Sequence, residues 1–298
     1  MDRPVQQGNP RLTTGATGPR LGGGEWRLAL PLALFFLAFF LAPLVLLVSI
    51  SFYDDPRMTT VGIGQYEAFF GDLLNLEVLW ETLLLGAKAT LLCLVAGYPV
   101  AWLCARSSGR VQGILLFVII LPILTSVVVR TFAWVVILGR EGLINQAIVG
   151  LGLSAEPIRL LFSELGVVIV LAQVQMPLMV LPLLTTLQRI DPNLADASAA
   201  LGAGAWRTFF KVTLPLSLPG ILAGSILVYA ACVTAFVTHT LIGGVRLLYM
   251  PLFIFQQAMD LQNWPFAAAI SVMFMISVLL VIALLVALSR SSRSQIYG

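Results

Sequence analysis

Residues 196–220 read DASAALGAGAWRTFFKVTLPLSLPG, an alanine-rich, lightly charged stretch that ends with two prolines. It lies between long apolar runs, in a chain of 298 residues of which 59% are hydrophobic and only 10% are charged. The mean hydropathy is +0.98, and such a composition leaves too little polar surface to cover a water-soluble globule. The sequence therefore predicts an integral membrane protein whose apolar segments are interrupted by this stretch.

Six apolar runs are long enough to cross a hydrocarbon core of about 30 Å, which takes about 20 helical residues. None alternates with the period of two that a membrane β-barrel needs, so the spans are predicted to be α-helices. The expected fold is an all-α membrane protein with a transmembrane domain at 28–289, a disordered cytoplasmic tail at 1–27 and a short tail at 290–298. The six predicted spans are Leu28–Ile50, Leu83–Cys104, Ile114–Leu138, Leu165–Leu187, Ile221–Ile242 and Ala267–Leu288.

Lysine and arginine set the expected orientation, because they accumulate in cytoplasmic loops. If the N-terminal tail is cytoplasmic, that side holds eleven of them and the outside holds four, so both termini are predicted to be cytoplasmic. This asymmetry also explains the net charge of +3 without a nucleic-acid partner. The inner set is Arg3, Arg11, Arg20, Arg27, Arg106, Arg110, Arg189, Arg207, Lys211, Arg290 and Arg293, and the outer set is Arg57, Arg140, Arg159 and Arg246.

Motifs for covalent chemistry and nucleotide binding are missing from the sequence. It contains one histidine, His239, and neither H-E-x-x-H nor G-x-S-x-G, so no enzyme activity and no metal site are expected. Its two lysines, Lys88 and Lys211, do not follow a glycine, which excludes a P-loop. If ATP drives the protein, the ATP and its Mg²⁺ must be bound by a partner chain. The three cysteines all fall within predicted spans and are interpreted as packing groups.

The opening stretch is predicted to form two short cytoplasmic helices between spans four and five. Asp191 can cap a helix that begins at Pro192, and Gly202 suits the left-handed residue that ends it. A second helix over Ala205–Val212 is expected to end before Pro215 and Pro219. The small side chains of the first helix suit close docking by another protein, whereas a plain connecting loop explains the local composition equally well.

The spacing of this stretch resembles the cytoplasmic EAA loop of binding-protein-dependent ABC importer permeases. Asp196-Ala197-Ser198 stands where that family has E-A-A, Gly202 follows after three residues, Val212 after nine more, and Leu214-Pro215 completes the pattern. Asp replaces the first glutamate and Ser the second alanine. The resemblance implies a coupling loop, residues 189–216, that docks on an ATPase through Asp196, Ala197, Ser198, Gly202, Leu214 and Pro215.

Further stretches resemble the spermidine/putrescine permease branch of that family. The resemblance implies half of a translocation pore in the bacterial inner membrane, paired with a second permease in a heterodimer. It also implies a cytoplasmic ATPase dimer, an extracytoplasmic binding protein and a polyamine cargo. Relatives that carry amino acids, iron or phosphonates share much of the pattern and stay as alternatives. The stretches are GYPVAWLCAR (97–106), VVVRTFAWVVILGREGLIN (127–145), LPLSLPGILAG (214–224), FVTHTLIGG (236–244) and NWPFAAAIS (263–271).

An ion-coupled secondary transporter is disfavoured, because no carboxylate lies deep in a predicted span. Two cations do: Lys88 is expected to snorkel to the outer surface, whereas Arg130 either pairs locally or lines the path. A cation in the path would repel a polyamine, which carboxylates or aromatic faces would attract. A Trp or Tyr in a span is more often a core residue or an interfacial anchor than part of a path. The pathway candidates are Arg130, Trp134, Tyr229, Phe236 and Asp260.

Overall fold

The computed structural model describes the backbone of residues 25–244 and 246–297 and the side chains of residues 30–244 and 246–287. Within those ranges the chain is helical and contains no β-strand. The helices are α1 (Glu25–Ile50), α2 (Gly64–Gly71), α3 (Leu73–Arg106), α4 (Gly109–Ile120), α5 (Val127–Leu138), α6 (Leu143–Gly150), α7 (Glu164–Leu187), α8 (Asn193–Ala200), α9 (Ala205–Thr208), α10 (Leu214–Val233), α11 (Phe236–Thr238), α12 (Met250–Phe255) and α13 (Trp264–Tyr297).

Two compact units make up the chain, residues 1–47 and 48–298. The first contains most of α1, whose apolar side chains from Leu30 onward are largely exposed. Such a helix is suited to lipid or to another apolar protein surface rather than to water. Of the predicted tail at 1–27, residues 1–24 lie outside the described part of the chain, and α1 already begins at Glu25.

The predicted spans agree with helices that are long and apolar enough to cross a membrane, with two exceptions, the third and the fifth. Five such helices occur in the described residues, and a bent helix pair gives a sixth apolar segment. The second, Leu73–Arg106, is longer than predicted. The predicted fifth span, Ile221–Ile242, is wrong in its bounds, because the helix Ala205–Val233 begins earlier and the chain breaks at Thr234 before α11. The predicted third span, Ile114–Leu138, is wrong as a continuous helix, because the chain bends by 101° between Leu124 and Val127.

The bend follows from Pro122 and the two residues after the short 3₁₀-helix Leu121–Leu124. The Pro122 carbonyl accepts hydrogen bonds from the Thr125 backbone N–H at 3.3 Å and from Thr125 Oγ1 at 2.8 Å, which closes the helix. Thr125 then has an extended backbone with φ −95° and ψ 148°. Ser126 starts α5 in a new direction. The Thr125 hydroxyl competes with the helical hydrogen-bond pattern at this point, as Ser and Thr side chains often do.

Helices α3, α7 and α10 pack against one another and form the main core of the second unit. Glycines allow the close approach: a Cβ on Gly97 would lie 3.1 Å from Met179, and one on Gly224 would lie 2.8 Å from the Met179 sulfur. Tyr98 on α3 and Ser217 on α10 share a buried hydrogen bond of 3.0 Å. Small residues at such contacts are typical of helix packing in membranes.

Lys88 was predicted to snorkel to the outer surface. In the structure it instead forms an ion pair with Glu164, the first residue of α7. Both side chains are partly exposed. The pair joins α3 to α7 and keeps the lysine charge compensated near the end of a span, where an unpaired cation would be costly.

Candidate functional site

The first helix of the coupling loop, α8, has the two ends that the sequence predicted. Asp191 Oδ1 accepts a hydrogen bond of 2.9 Å from the Asn193 backbone N–H. At the other end, Gly202 has φ +79°, and its N–H donates to the Ala199 carbonyl at 2.9 Å, while the Ala203 N–H donates to the Ser198 carbonyl at 3.1 Å. These two bonds form a Schellman motif, which requires a left-handed residue at the position of Gly202.

The second helix of the coupling loop does not end before the prolines, and the prediction that Pro215 and Pro219 stop it is wrong. The chain continues from α9 through the π-helical turn Phe209–Thr213 into α10. Within that turn the Leu214 N–H bonds to the Phe209 carbonyl. The wider π-helical turn accommodates Pro215, which has no N–H, within the helix. In an α-helical turn the same proline would cause a kink.

The side chains that stand for E-A-A differ in direction. Asp196 and Ala197 are exposed, whereas Ser198 is half-buried and its Oγ lies 2.9 Å from Thr208 Oγ1 on α9. Ser198 therefore joins the two short helices, a contact that an alanine could not make. Of the remaining coupling candidates, Gly202 is exposed and Leu214 and Pro215 are half-buried where α10 begins.

Aromatic side chains of the coupling loop form a feature that the sequence reasoning missed. Phe209 packs edge-on against Tyr98 of α3, with ring centroids 5.6 Å apart, and so connects the loop to the core. Trp206 and Phe210 stack on each other at 6.0 Å and are 77% and 57% exposed. The signal was their spacing of four residues, which places both on one face of a helix.

A cavity of about 470 Å³ lies between α8 and the end of α3. Asp191, Asp196, Trp102 and Arg106 are among its lining residues. The Arg106 guanidinium lies 4.0 Å from the centre of the Trp102 ring, in a cation–π contact. The exposed face of α8 is thus bordered by a concave surface of mixed charge.

Among the pathway candidates, the structure brings Arg130 and Phe236 together. Both line a cavity of about 480 Å³ between α5, α7 and the α10–α11 break, together with Gln175 and Thr234. Arg130 Nη2 donates to the Thr125 carbonyl at 2.9 Å, whereas its buried Nε has no hydrogen-bond partner among the described residues. The polar residues Gln175 and Thr234 were missed, because a lone polar residue in an apolar run is a weak signal.

The other three candidates do not line this cavity. Trp134 Nε1 donates to Gln173 Oε1 at 3.0 Å, which joins α5 to α7. Tyr229 is only 2% exposed and packs in the core near Gly86. Asp260 is exposed at the end of the π-helical turn Gln256–Asp260.

The sequence of residues 97–294 matches the family described as binding-protein-dependent transport system inner membrane component. The chain is 33% identical over 238 residues to the spermidine/putrescine transport system permease protein PotB of Haemophilus influenzae, covering 78% of this chain and 83% of that protein. It is 36% identical over 201 residues to PotB of Escherichia coli K12, covering 67% and 73%.

A solved structure supports the fold independently of sequence similarity. The chain is similar to a chain of a bacterial ABC transporter involved in the import of alginate, with a TM-score of 0.74 over 90% of this chain and 95% of that one. Because the two sequences share 17% identity, this likeness concerns the fold alone. From the matched residues and the relatives, the chain belongs to the binding-protein-dependent transport system inner membrane components, the permease subunits of ABC importers.

Proposed function

We propose that this permease forms half of a translocation pore and couples it to a separate cytoplasmic ATPase dimer through α8. ATP and Mg²⁺ bind to that ATPase, and this chain holds no cofactor. A second, related permease completes the pore as a heterodimer, and an extracytoplasmic binding protein delivers the cargo. Both termini lie on the cytoplasmic side of the bacterial inner membrane, as the distribution of lysine and arginine indicates.

The observation that carries the coupling proposal is the shape of the exposed face of α8. Its outward side chains include Asp196, Ala197, Ala199 and Ala200, which present one carboxylate among methyl groups. The Schellman turn at Gly202 then reverses the chain without adding bulk. A partner backbone can approach such a helix closely, as small side chains allow at helix contacts.

Gly202 and Gly204 provide a matched test of this proposal. Neither Cβ position has another atom of the described chain within 4 Å, but Gly202 has φ +79° and Gly204 has φ −71°. Gly202→Leu therefore adds backbone strain of about 1 kcal/mol or more to the added bulk, whereas Gly204→Leu adds bulk alone. Asp196→Asn removes only the charge.

We expect Gly202→Leu to abolish cargo-stimulated ATP hydrolysis by the reconstituted importer while the protein still inserts and pairs with the second permease. Asp196→Asn and Gly204→Leu should give milder defects. Normal transport by Gly202→Leu, with the ATPase still co-purifying, would show that α8 is only a connector.

For the cargo, we propose a small cationic amine, with polyamines first. Two points support this cargo: the spermidine and putrescine transport for which the PotB relatives are named, and the ten acidic residues expected outside. These residues would raise the local concentration of a cation through their field. They are Asp54, Asp55, Glu67, Asp72, Glu77, Glu81, Glu141, Glu156, Glu164 and Asp260.

The cavity around Arg130 supports a second candidate, a carboxylate-bearing substrate such as a γ-amino acid. Arg130 pairs with a backbone carbonyl and with no carboxylate of the described chain, so an anionic group could bind it. The two cargoes predict opposite responses to Arg130→Gln. Polyamine uptake should stay unchanged or rise, because a repulsive charge is removed, whereas uptake of a carboxylate substrate should fall at least about tenfold, since hydrogen-bonded charge pairs contribute about 1.5–3 kcal/mol.

Competition uptake measured with the reconstituted complex separates the two cargoes. Putrescine or spermidine that outcompetes 4-aminobutanoate supports the polyamine proposal. The reverse order, together with a loss of uptake in Arg130→Gln, would overturn the polyamine assignment.

A further inference from the structure

A separate cavity of about 430 Å³ lies where α5 ends and the α6–α7 connection returns, away from the coupling loop and from the Arg130 cavity. Arg140 and Arg159 line it together with apolar groups that include Pro157, Leu161 and Phe162. We propose that this cavity binds the headgroup of an anionic glycerophospholipid, with the acyl chains lying along the neighbouring leucines.

Buried Asn145 holds the two arginine-bearing segments together. Its Nδ2 donates to the Gly139 and Ile158 carbonyls, each at 3.0 Å, and its Oδ1 accepts from the Ile158 N–H at 2.9 Å. Gly139 precedes Arg140 and Ile158 precedes Arg159 in the sequence. One side chain thus fixes the backbone next to both guanidinium groups, and the site does not depend on two independently moving loops.

The apolar wall of the cavity is also fixed by specific contacts. Phe162 has φ 60°, an uncommon backbone conformation for a side chain of its size, and its N–H donates to the Ile242 carbonyl at 3.0 Å. Leu138 and Leu160, which also line the cavity, are buried. Strained residues persist where the surrounding structure determines them, and here the strained residue lines the same cavity as the two arginines.

The charges are available to a ligand. Both Arg140 and Arg159 are exposed. Across residues 30–244 and 246–287, neither of them forms an ion pair or a side-chain hydrogen bond. Glu141 and Glu156 are close in sequence but pair with neither of them. Guanidinium groups bind phosphate oxygens in a planar, bidentate geometry, so two of them on one cavity suit a phosphodiester.

The surroundings favour a lipid over a soluble partner. Leu143, Leu151 and Leu153, which lie between the two arginines in the sequence, are 69%, 76% and 75% exposed, and such leucines would be unfavourable in contact with water. The cavity lies at the end of one apolar segment and just before the start of α7, which is the depth of lipid headgroups. In the orientation proposed above, this is the outer leaflet.

The test uses the complete importer, reconstituted in phosphatidylcholine nanodiscs with or without phosphatidylglycerol, re-purified in detergent and analysed by mass spectrometry for retained lipid. We expect the wild type to retain phosphatidylglycerol. Because each basic group contributes a factor of about five to binding at an anionic lipid surface, Arg140→Gln with Arg159→Gln should retain roughly 25-fold less. Inorganic phosphate in the buffer should not displace the lipid, since it lacks acyl chains.

Three controls keep this test decisive. Arg57→Gln with Arg246→Gln removes the other two outer arginines and should leave lipid retention unchanged. Arg140→Lys with Arg159→Lys keeps the charge and should keep most of the retention. Arg159→Gln alone, on an exposed connection, should lose about fivefold even if the double variant folds poorly. Retention equal to wild type in the glutamine variants of Arg140 and Arg159 overturns the proposal. Unchanged lipid with weaker capture of the binding protein also overturns it, because that result would assign the two arginines to protein docking.

Discussion

Gly220 and Gly113 show that the position of a glycine, rather than its presence, decides its effect in this protein. A Cβ on Gly220 of α10 would lie 2.6 Å from Thr186 Oγ1 and 2.9 Å from the Pro182 carbonyl oxygen of α7. A Cβ on Gly113 of α4 would have no atom of the described chain within 4 Å. The first glycine therefore sets the distance between two core helices, and the second does not.

We predict that Gly220→Ala destabilises the protein by about 1–3 kcal/mol, because overpacking forces the two helices apart. Gly113→Ala should be neutral or stabilising by up to about 1 kcal/mol, since alanine is the better helix former. Thermal unfolding of both variants in the same detergent, followed by loss of the monodisperse gel-filtration peak, compares them directly. Equal midpoints would contradict the close contact at Gly220.

Residues that act locally were predictable, and those that act across the fold were not. Asp191 and Gly202 were recognised because a helix cap and a left-handed helix end depend on neighbours within a few positions. The Lys88–Glu164 ion pair joins residues 76 positions apart, and no local pattern announces it. The hydroxyl contact of Ser198 with Thr208 was likewise hidden, because it depends on how α8 folds back on α9.

At the scale of elements, the length of each apolar run predicted where spans lie but not how they bend. The run Ile114–Leu138 has the composition of one span, and its bend depends on which carbonyls the Thr125 side chain and the Arg130 guanidinium bind. The opposite error occurred at Pro215, where a proline suggested an end and a π-helical turn allowed continuation. Hydrophobicity measures transfer from water, and it carries little information about backbone direction.

Pro215→Ala tests the role of that π-helical turn. Alanine restores an N–H and favours an α-helical turn, so we predict a continuous helix in which Phe209 is displaced from Tyr98. Stability should change by no more than about 1 kcal/mol, within the range of ordinary surface and helix substitutions, while cargo-stimulated ATP hydrolysis falls several-fold.

Pro219→Ala is the control, because Pro219 is exposed inside α10 and does not adjoin the π-helical turn. It should keep near-normal stimulation of ATP hydrolysis. If Pro215→Ala and Pro219→Ala behave alike, the turn has no special part in coupling.

At the scale of the whole molecule, orientation depends on charge bias rather than on any single contact. The structure shows which positions can report it without disturbing the fold. Asp54 is unsuitable, since its Oδ1 accepts a 2.7 Å hydrogen bond from the Gly64 N–H and its side chain fills the space beside Gly62. Glu67, Asp196 and Asp260 are exposed and suit substitution.

We predict that single cysteines at 67 and 260 react with a membrane-impermeant maleimide in intact cells, whereas a cysteine at 196 reacts only after the membrane is opened. The native Cys93, Cys104 and Cys232 are all buried, so the background should be low even before they are replaced. We expect this labelling pattern because the excess of lysine and arginine on the side of the coupling loop resists translocation across the membrane. Reaction of position 196 in intact cells would place α8 outside, where no cytoplasmic ATPase could reach it, and would remove both the orientation and the coupling proposal at once.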